Sequence, residues 1–554
     1  MSGFNKRSGG TATLGPVRTT GEKTTTFESG AAFKRDAKSD LFILAVTYMG
    51  EDKFYESKSD QAKRLKELAA AVAREDPQWL LGFIPWLRNE ANMRTASIVI
   101  AAEAVRTRTL MAPTDIRNDV PVGINRRLIS LACSRADEPG ELLAYWIANY
   151  GRNRIPISIK RGTGDAVRRL YSEYSYSKYD SPDKSVRFAD VIEMVHPVDR
   201  FNAAFVTPEQ GDLFEHIIDE RHGRGKEIPE SLTMLRKRKE LLSLPLAERR
   251  SFVKASGAAE RLREAGITWE ALSGWLQGPM DRIAWEAIIP SMGYMALLRN
   301  LRNFDEAKLG KEVYEKVASR ISDPAQVAKS RQFPYRFLSA YRSLNSLRWG
   351  QPLEEALGHA CANIPNLPGR TLVLVDTSGS MHSNVSAKSS IRHVDIGALI
   401  GVAIARKCGP KNVDLVGFAN GVFQYPLKNG GSLLRDIEGF SKRVGSVGHG
   451  TETVAALKAS YSGHDRVVIV SDMQAFHYPG GGSVGYYDAI GKVRGMSVSE
   501  AIPDRVPMFG INTSGYGASS IDTSKPNRYE IGGFSDKVFT MLASLSAGDG
   551  SWPF

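Results

Sequence analysis

Residues 371–380 read Thr371-Leu372-Val373-Leu374-Val375-Asp376-Thr377-Ser378-Gly379-Ser380. The first five are β-branched or aliphatic with no polar alternation, the pattern of a strand buried on both faces. The run ends on a carboxylate, and Asp376, Ser378 and Ser380 then place three oxygen-bearing side chains at alternate positions of one short loop. Similar runs recur at Val413–Phe418, Arg466–Val470 and Val506–Ile511. Between them lie helical stretches, notably Ile391–Lys407, where Ile391, Val394, Ala398, Leu399 and Val402 share a face. Strands alternating with helices predict a parallel, doubly wound α/β sheet, which binds ligands at the carboxyl ends of its strands.

Two other loops belong to that edge. Gly450-Thr451-Glu452-Thr453 precedes a helix, and Asp472 follows the strand at 466–470. Oxygens of Asp376, Ser378, Ser380, Thr451 and Asp472 can therefore converge, and carboxylate plus hydroxyl donors suit a hard divalent cation, Mg²⁺ above others. Only Asp376 and Asp472 of the five bring formal charge, so the cation would stay electrophilic enough to accept a partner's carboxylate. A Ser-rich strand-end turn holding no ion is the competing reading. The D-x-S-x-S, Thr and Asp elements, in this order and on these loops, resemble the metal-ion-dependent adhesion site of von Willebrand A domains.

Upstream, Asn363–Arg370 carries two prolines and reads as a linker. From about 29 to 365 the pattern is helical. Leu65, Leu68 and Val72 recur at helical spacing, as do Ile98, Ala101, Ala102 and Val105. Breakers such as Asp76-Pro77, His196-Pro197, Thr207-Pro208 and Asp323-Pro324 separate short stretches, which predicts stacked helix pairs without a fixed sequence period. Residues 1–28, rich in Gly, Thr, Ser and Lys, predict a disordered tail. The expected domains are therefore 1–28, 29–365 and 366–554.

The chain of 554 residues carries a net charge of +12 with a pI near 9.4. Residues from 366 onward hold 18 Lys and Arg against 15 Asp and Glu, so the excess lies mainly in the first two-thirds. Three distant cysteines form neither a disulfide framework nor a zinc site, and no secretory signal or membrane-spanning run is visible; a reducing cytoplasm fits best. No phosphate-gripping loop, H-E-x-x-H or C-x-x-C occurs, and no nucleophile, base and orienter can be assembled, so the expectation is not an enzyme.

Residues 290–303, Pro-Ser-Met-Gly-Tyr-Met-Ala-Leu-Leu-Arg-Asn-Leu-Arg-Asn, look like the signature segment of the TROVE module. Arg88–Thr95, Asp190–Pro197, Leu41–Tyr55 and Arg331–Leu338 are similar to segments of Ro proteins, and a TROVE module followed by an A domain is the Ro arrangement. The resemblance, over roughly residues 30–554, implies an all-α HEAT-like ring, monomeric and closed by the A domain. It also implies binding of small structured Y-like noncoding RNA, and of single-stranded 3′ ends of misfolded or immature RNA, in RNA quality control. An exoribonuclease is an implied partner.

Residues 160–200 interleave cations with tyrosines. Lys160, Arg161, Arg168, Arg169, Lys178, Lys184, Arg187 and His196 are the candidate RNA contacts, with Tyr171, Tyr174, Tyr176 and Tyr179 able to stack on bases. Arg161, Arg168 and Ser172 would share one helix face. A solvated charged face over half-buried tyrosines is the plainer alternative. The Ro resemblance favours Lys178 and His196, although Asp180-Ser181-Pro182-Asp183 stands where a more basic segment is expected. Arg236-Lys237-Arg238-Lys239 points in several directions on a helix and reads as a solvent-facing surface. The rival function is a metal-dependent protein-interaction scaffold with no RNA role.

Overall fold

The computed structural model describes residues 13–112, 114, 121–197, 207–387, 389–475 and 496–554. The chain divides into two units, one of residues 1–68, 333–339 and 357–554, the other of residues 69–332 and 340–356.

The first is an α/β unit. Its strands in chain order are β1 (Thr19–Thr25), β2 (Ala31–Arg35), β3 (Thr371–Asp376), β4 (Val413–Phe418) and β5 (Val422–Gln424). They continue with β6 (Arg466–Ser471), β7 (Met508–Asn512), β8 (Ala518–Ser519) and β9 (Arg528–Gly532). The main sheet runs β5-β4-β3-β6-β7-β9, with parallel pairing throughout except the antiparallel edge strand β5. Every residue of β3 is buried, as its unbroken apolar run predicts. The helix His393–Cys408 covers one face and comes close because Gly397 and Gly401 lack side chains. A Cβ on either would lie within 3 Å of Val375. On the other face Leu372, Leu374, Val416, Leu457, Ile469 and Met508 form a continuous core. Asp376 pairs in register with Phe418, and Val375 with Val470, so the loops after β3, β4 and β6 leave at one level.

The N-terminal segment corrects the expected tail. Residues 1–12 lie outside the described residues, but 19–25 form β1, paired antiparallel with β2, which in turn pairs with β8. The expected domain boundary at 29 moves with it. Helix α1 (Ala37–Val46) buries Leu41 to Val46 in the α/β unit against β9, where a Cβ on Gly532 would meet Val46 at 2.9 Å.

The second unit is helical. After α2 (Lys58–Glu75) come α3 (Pro77–Asn89), α4 (Arg94–Leu110), α5 (Ile124–Ala132), α6 (Glu138–Tyr150) and α7 (Ile157–Leu170). Then follow α8 (Glu173–Tyr179), α9 (Phe188–Val195), α10 (Pro208–Arg221) and α11 (Thr233–Leu242), with further helices to residue 356. Neighbours in sequence pack together, α5 on α4 and α7, α7 on α9, and α9 on α10. Three of the four X-Pro breakers are helix starts, while His196-Pro197 ends α9. Asp76, Thr207 and Asp323 each accept a backbone N–H of the first turn, with proline just inside the helix. A helical repeat unit joined to a doubly wound α/β unit is the architecture expected. Among the described residues no helix is long and apolar enough to cross a membrane.

Candidate functional site

The loops at the carboxyl edge of the sheet are built by hydrogen bonds that leave little freedom. Thr377 donates from both its N–H and its hydroxyl to the Phe418 carbonyl at 2.8 Å, which ties the loop after β3 to the end of β4. Asp376 turns back on its own loop, accepting the Ser378 N–H at 2.9 Å, and its other oxygen accepts the Ser471 hydroxyl at 2.6 Å. Ser378 and Ser380 hydroxyls stand 3.3 Å apart. The Gly379 N–H donates to the His449 carbonyl at 2.9 Å, bringing in the loop that carries Thr451. Asn420 holds that loop by accepting the His449 and Gly450 N–H groups at 3.0 and 2.9 Å, and a Cβ on Gly450 would collide with it at 2.5 Å.

All five expected oxygen donors are buried. Asp376 is 0% exposed, Asp472 1%, Ser378 1%, Ser380 5% and Thr451 1%. Burial first, then the Asp376 charge and a smaller one from Glu28, lift the Asp472 carboxyl to about 7, while the Ser380 hydroxyl and the Gln474 N–H hold it down. Burial likewise raises Asp376 above the usual carboxylate range. Glu452, next to Thr451, is pushed up to about 7 by burial. Two adjacent buried carboxylates repel each other, and among the described residues neither Asp376 nor Asp472 forms a salt bridge. A divalent cation would relieve that repulsion, so the donor set fits one. Among the described residues no three His, Cys, Asp or Glu side chains group as metal ligands, so hydroxyls would have to complete the coordination. Exposed His449 supplies its carbonyl to the scaffold, and its ring lies 5.5 Å from that of His382.

The eight expected RNA contacts separate into two sets. Arg168 donates to the Pro197 carbonyl at 2.9 Å and pairs with Asp165. Arg169 donates to the carbonyls of Ser130 and Cys133, at the C-terminal end of α5. Arg187 pairs with Asp180 and so fastens the acidic 180–183 segment to the start of α9. Lys184 lies 3.5 Å from Glu141. These four stabilise the helical unit. Lys160, Arg161, Lys178 and His196 form no salt bridge among the described residues, and Arg161, Lys178 and His196 are exposed. Lys178 lies over the rings of Tyr174 and Tyr179, at 5.4 and 5.2 Å. His196 ends α9 in the left-handed region (φ 47°), with its N–H donated to the Ile192 carbonyl and its side chain outward.

The tyrosines divide the same way. Tyr171 is core, stacked on Phe188 at 4.0 Å, and Tyr176 donates to Glu220 at 2.6 Å, whereas Tyr174 is 45% exposed. The helix face expected to join Arg161, Arg168 and Ser172 is shorter than predicted. α7 stops at Leu170, and Ser172 caps α8 by accepting the Ser175 N–H. Arg88 closes on fully buried Glu138 at 2.5 Å, and Asn300 donates to the Ala296 carbonyl inside a helix, so both are structural. In α11, Lys237 pairs with Glu264 and Arg238 donates to the Gly266 carbonyl, as consecutive helical cations pointing apart would. Sequence reasoning missed Glu28 and Tyr55, which come from the N-terminal segment to the cation loops. Tyr55 donates to Glu28 at 2.6 Å.

Comparison with known proteins adds a domain match and a fold. Residues 256–382 match the TROVE domain model, a span that includes both Pro290–Asn303 and Asp376–Ser380. Telomerase protein component 1 of Rattus norvegicus is 35% identical over 96 residues, and that of Mus musculus 34% over 97 residues. Each match takes 17% of this chain and 4% of the relative, so the chain spans only a small part of those proteins. The crystal structure of Deinococcus radiodurans RO (RSR) protein superposes with a TM-score of 0.56 at 18% identity, covering 92% of this chain and 100% of that one. At that identity the likeness is one of fold. Part of the chain thus matches the TROVE domain, and the chain shares the fold of that Ro protein.

Proposed function

We propose that this protein is an Ro-type RNA-binding scaffold, taking small structured Y-like RNA and the single-stranded 3′ ends of misfolded or immature RNAs. The observation that carries this reading is an exposed group on one TROVE-bearing chain: Lys178 bracketed by Tyr174 and Tyr179, with Arg161 and His196 also exposed. Ammonium and guanidinium groups neutralise phosphates, and an exposed tyrosine gives an unpaired base a stacking face. The group lies outside the matched 256–382 segment, so its RNA role rests on chemistry and on the Ro fold.

The α/β unit has a different task in this proposal. Asp376, Asp472, Ser378, Ser380 and Thr451 would hold Mg²⁺, which would supply Lewis acidity toward a carboxylate of a partner protein, an exoribonuclease among the partners proposed. Binding rather than catalysis is the chemistry proposed, in the cytoplasm. Two buried carboxylates orient the cation, and the hydroxyls keep it under-neutralised. Sequencing the RNA that copurifies with the native full chain tests the proposal. Enrichment of a few structured noncoding RNAs and of RNAs with frayed 3′ ends is expected. A pool that merely mirrors total RNA leaves the metal-dependent protein scaffold as the better account.

A further inference from the structure

The turn between β1 and β2 meets the loop that follows β6. Thr26 donates its hydroxyl to the Ala475 carbonyl at 2.7 Å, and the Phe27 N–H donates to the Gln474 side-chain carbonyl at 2.9 Å. The turn is itself closed by the Thr26 hydroxyl accepting the Gly30 N–H at 2.9 Å, with Ser29 in the left-handed region at φ 60°. Glu28 is therefore delivered to the cation loops by a braced turn rather than by a loose strand end.

Once there, Glu28 accepts the Tyr55 hydroxyl at 2.6 Å. The Tyr55 ring is stacked on Phe27 (centroids 5.4 Å, 4° between planes) and meets Tyr516 edge-on at 5.5 Å. Asp472 lies on the same loop as Gln474 and accepts its N–H at 3.1 Å, so the turn that carries Glu28 is hydrogen-bonded within two residues of a proposed cation ligand. Among the described residues Glu28 forms no salt bridge, so nothing basic accounts for a third carboxylate beside two buried ones. Gln474, fully buried, accepts the turn through its oxygen while its Nε2 has no partner among the described residues. That donor is left for an acceptor at the same junction.

We infer that Glu28, held by Tyr55, is a built-in screen over the cation site that an incoming carboxylate must displace. Resting on the cation proposal, this inference names how the site is regulated. Glu28, Asp376 and Asp472 do not group around one point among the described residues, so Glu28 is not proposed as a fixed ligand. Partner capture thus competes with an intramolecular contact, and affinity is lowered by the fraction of molecules in which the screen is closed.

The test uses the full chain, Mn²⁺ as the cation and N-acetyl-aspartate amide as the external carboxylate, read by water-proton relaxation. Glu28→Gln and Tyr55→Phe each remove the charge or the hydroxyl and keep the shape, and thermal melting checks that both variants fold. Expected is Mn²⁺ binding by all three proteins, with the aspartyl probe bound roughly tenfold more tightly by both variants, as on removal of an internal competitor. Mn²⁺ binding with unchanged probe affinity overturns the screen alone. Failure of the wild-type chain to bind Mn²⁺ overturns the cation proposal and the screen with it.

Discussion

The guanidinium of Arg35 closes on the carboxylate of Glu530 at 2.6 Å with both side chains fully buried. Arg35 ends β2 and Glu530 lies in β9, so the pair locks the N-terminal segment into the α/β unit. The Tyr516 carbonyl and Asp40 take further guanidinium donors. Burial opposes the charge on Arg35, and Glu530 and Asp40 more than restore it. Removing one partner strands the other in a low-dielectric interior, at a cost of about 3–5 kcal/mol. Arg35→Ala should therefore lower the unfolding free energy of the α/β unit by about that much in urea titrations, with little change in the helical unit. A loss below about 1 kcal/mol would mean the contact is no better than a surface pair.

His393 predicts a pH effect. It is buried, its Nδ1 has no partner among the described residues, and burial with the nearby Lys53 charge lowers its pKa to about 3. Unfolded, the ring titrates near 6.5. The folded state takes up the proton later, so the stability it contributes is whole above about 6.5 and is lost as pH falls toward about 3. In chelator, wild type should lose stability relative to His393→Gln by up to about 1.4 kcal/mol per pH unit between pH 6 and pH 4. Parallel profiles for the two proteins would exclude this role.

Mg²⁺ should raise the melting temperature of the native chain, because the cation neutralises Asp376 and Asp472 in the folded state only. Saturation at a hundredfold excess over Kd corresponds to about 2.7 kcal/mol. Asp376→Asn should abolish the response and, in chelator, be no less stable than wild type, since it removes one of two buried like charges. A Mg²⁺ response that survives in Asp376→Asn would place the ion elsewhere.

Lys178→Ala combined with His196→Ala should weaken structured-RNA binding and flatten its salt dependence by roughly 1–2 units of log–log slope, with folding intact. Arg169→Ala should do the reverse. Its donors serve the Ser130 and Cys133 carbonyls, so stability falls while RNA affinity holds. The opposite pattern would move the interface to the end of α5.

The parts of this molecule legible in its sequence are those decided by short-range pattern. Four consecutive aliphatic residues after a β-branched threonine, ending on Asp376, read as a strand buried on both faces, and the oxygen-rich loop followed from it. Arg35 carried no such signal. It reads as one more cation beside a polar tail, and its partner lies 495 positions away. Glu28 was hidden for the same reason, since Ala475 and Gln474, which hold its turn through Thr26 and Phe27, are brought there by sheet topology. Arg168, Arg169 and Arg187 were legible as cations, but the carbonyls and carboxylates that hold them were not, because composition reports charge and not its partners. Ser172 was readable locally, as a serine ahead of Glu173 is an N-cap pattern that ends one helix and begins the next.

Filter binding of the native full chain to a single-stranded RNA, repeated across salt concentrations, tests RNA binding most directly. With contacts to Z phosphates, log affinity should fall linearly with log salt at a slope near −0.7Z, and half-exposed Lys160 with exposed Arg161 and Lys178 predicts a slope of about −2 or steeper. Affinity that is absent at low salt, or that does not change with salt, would contradict the account.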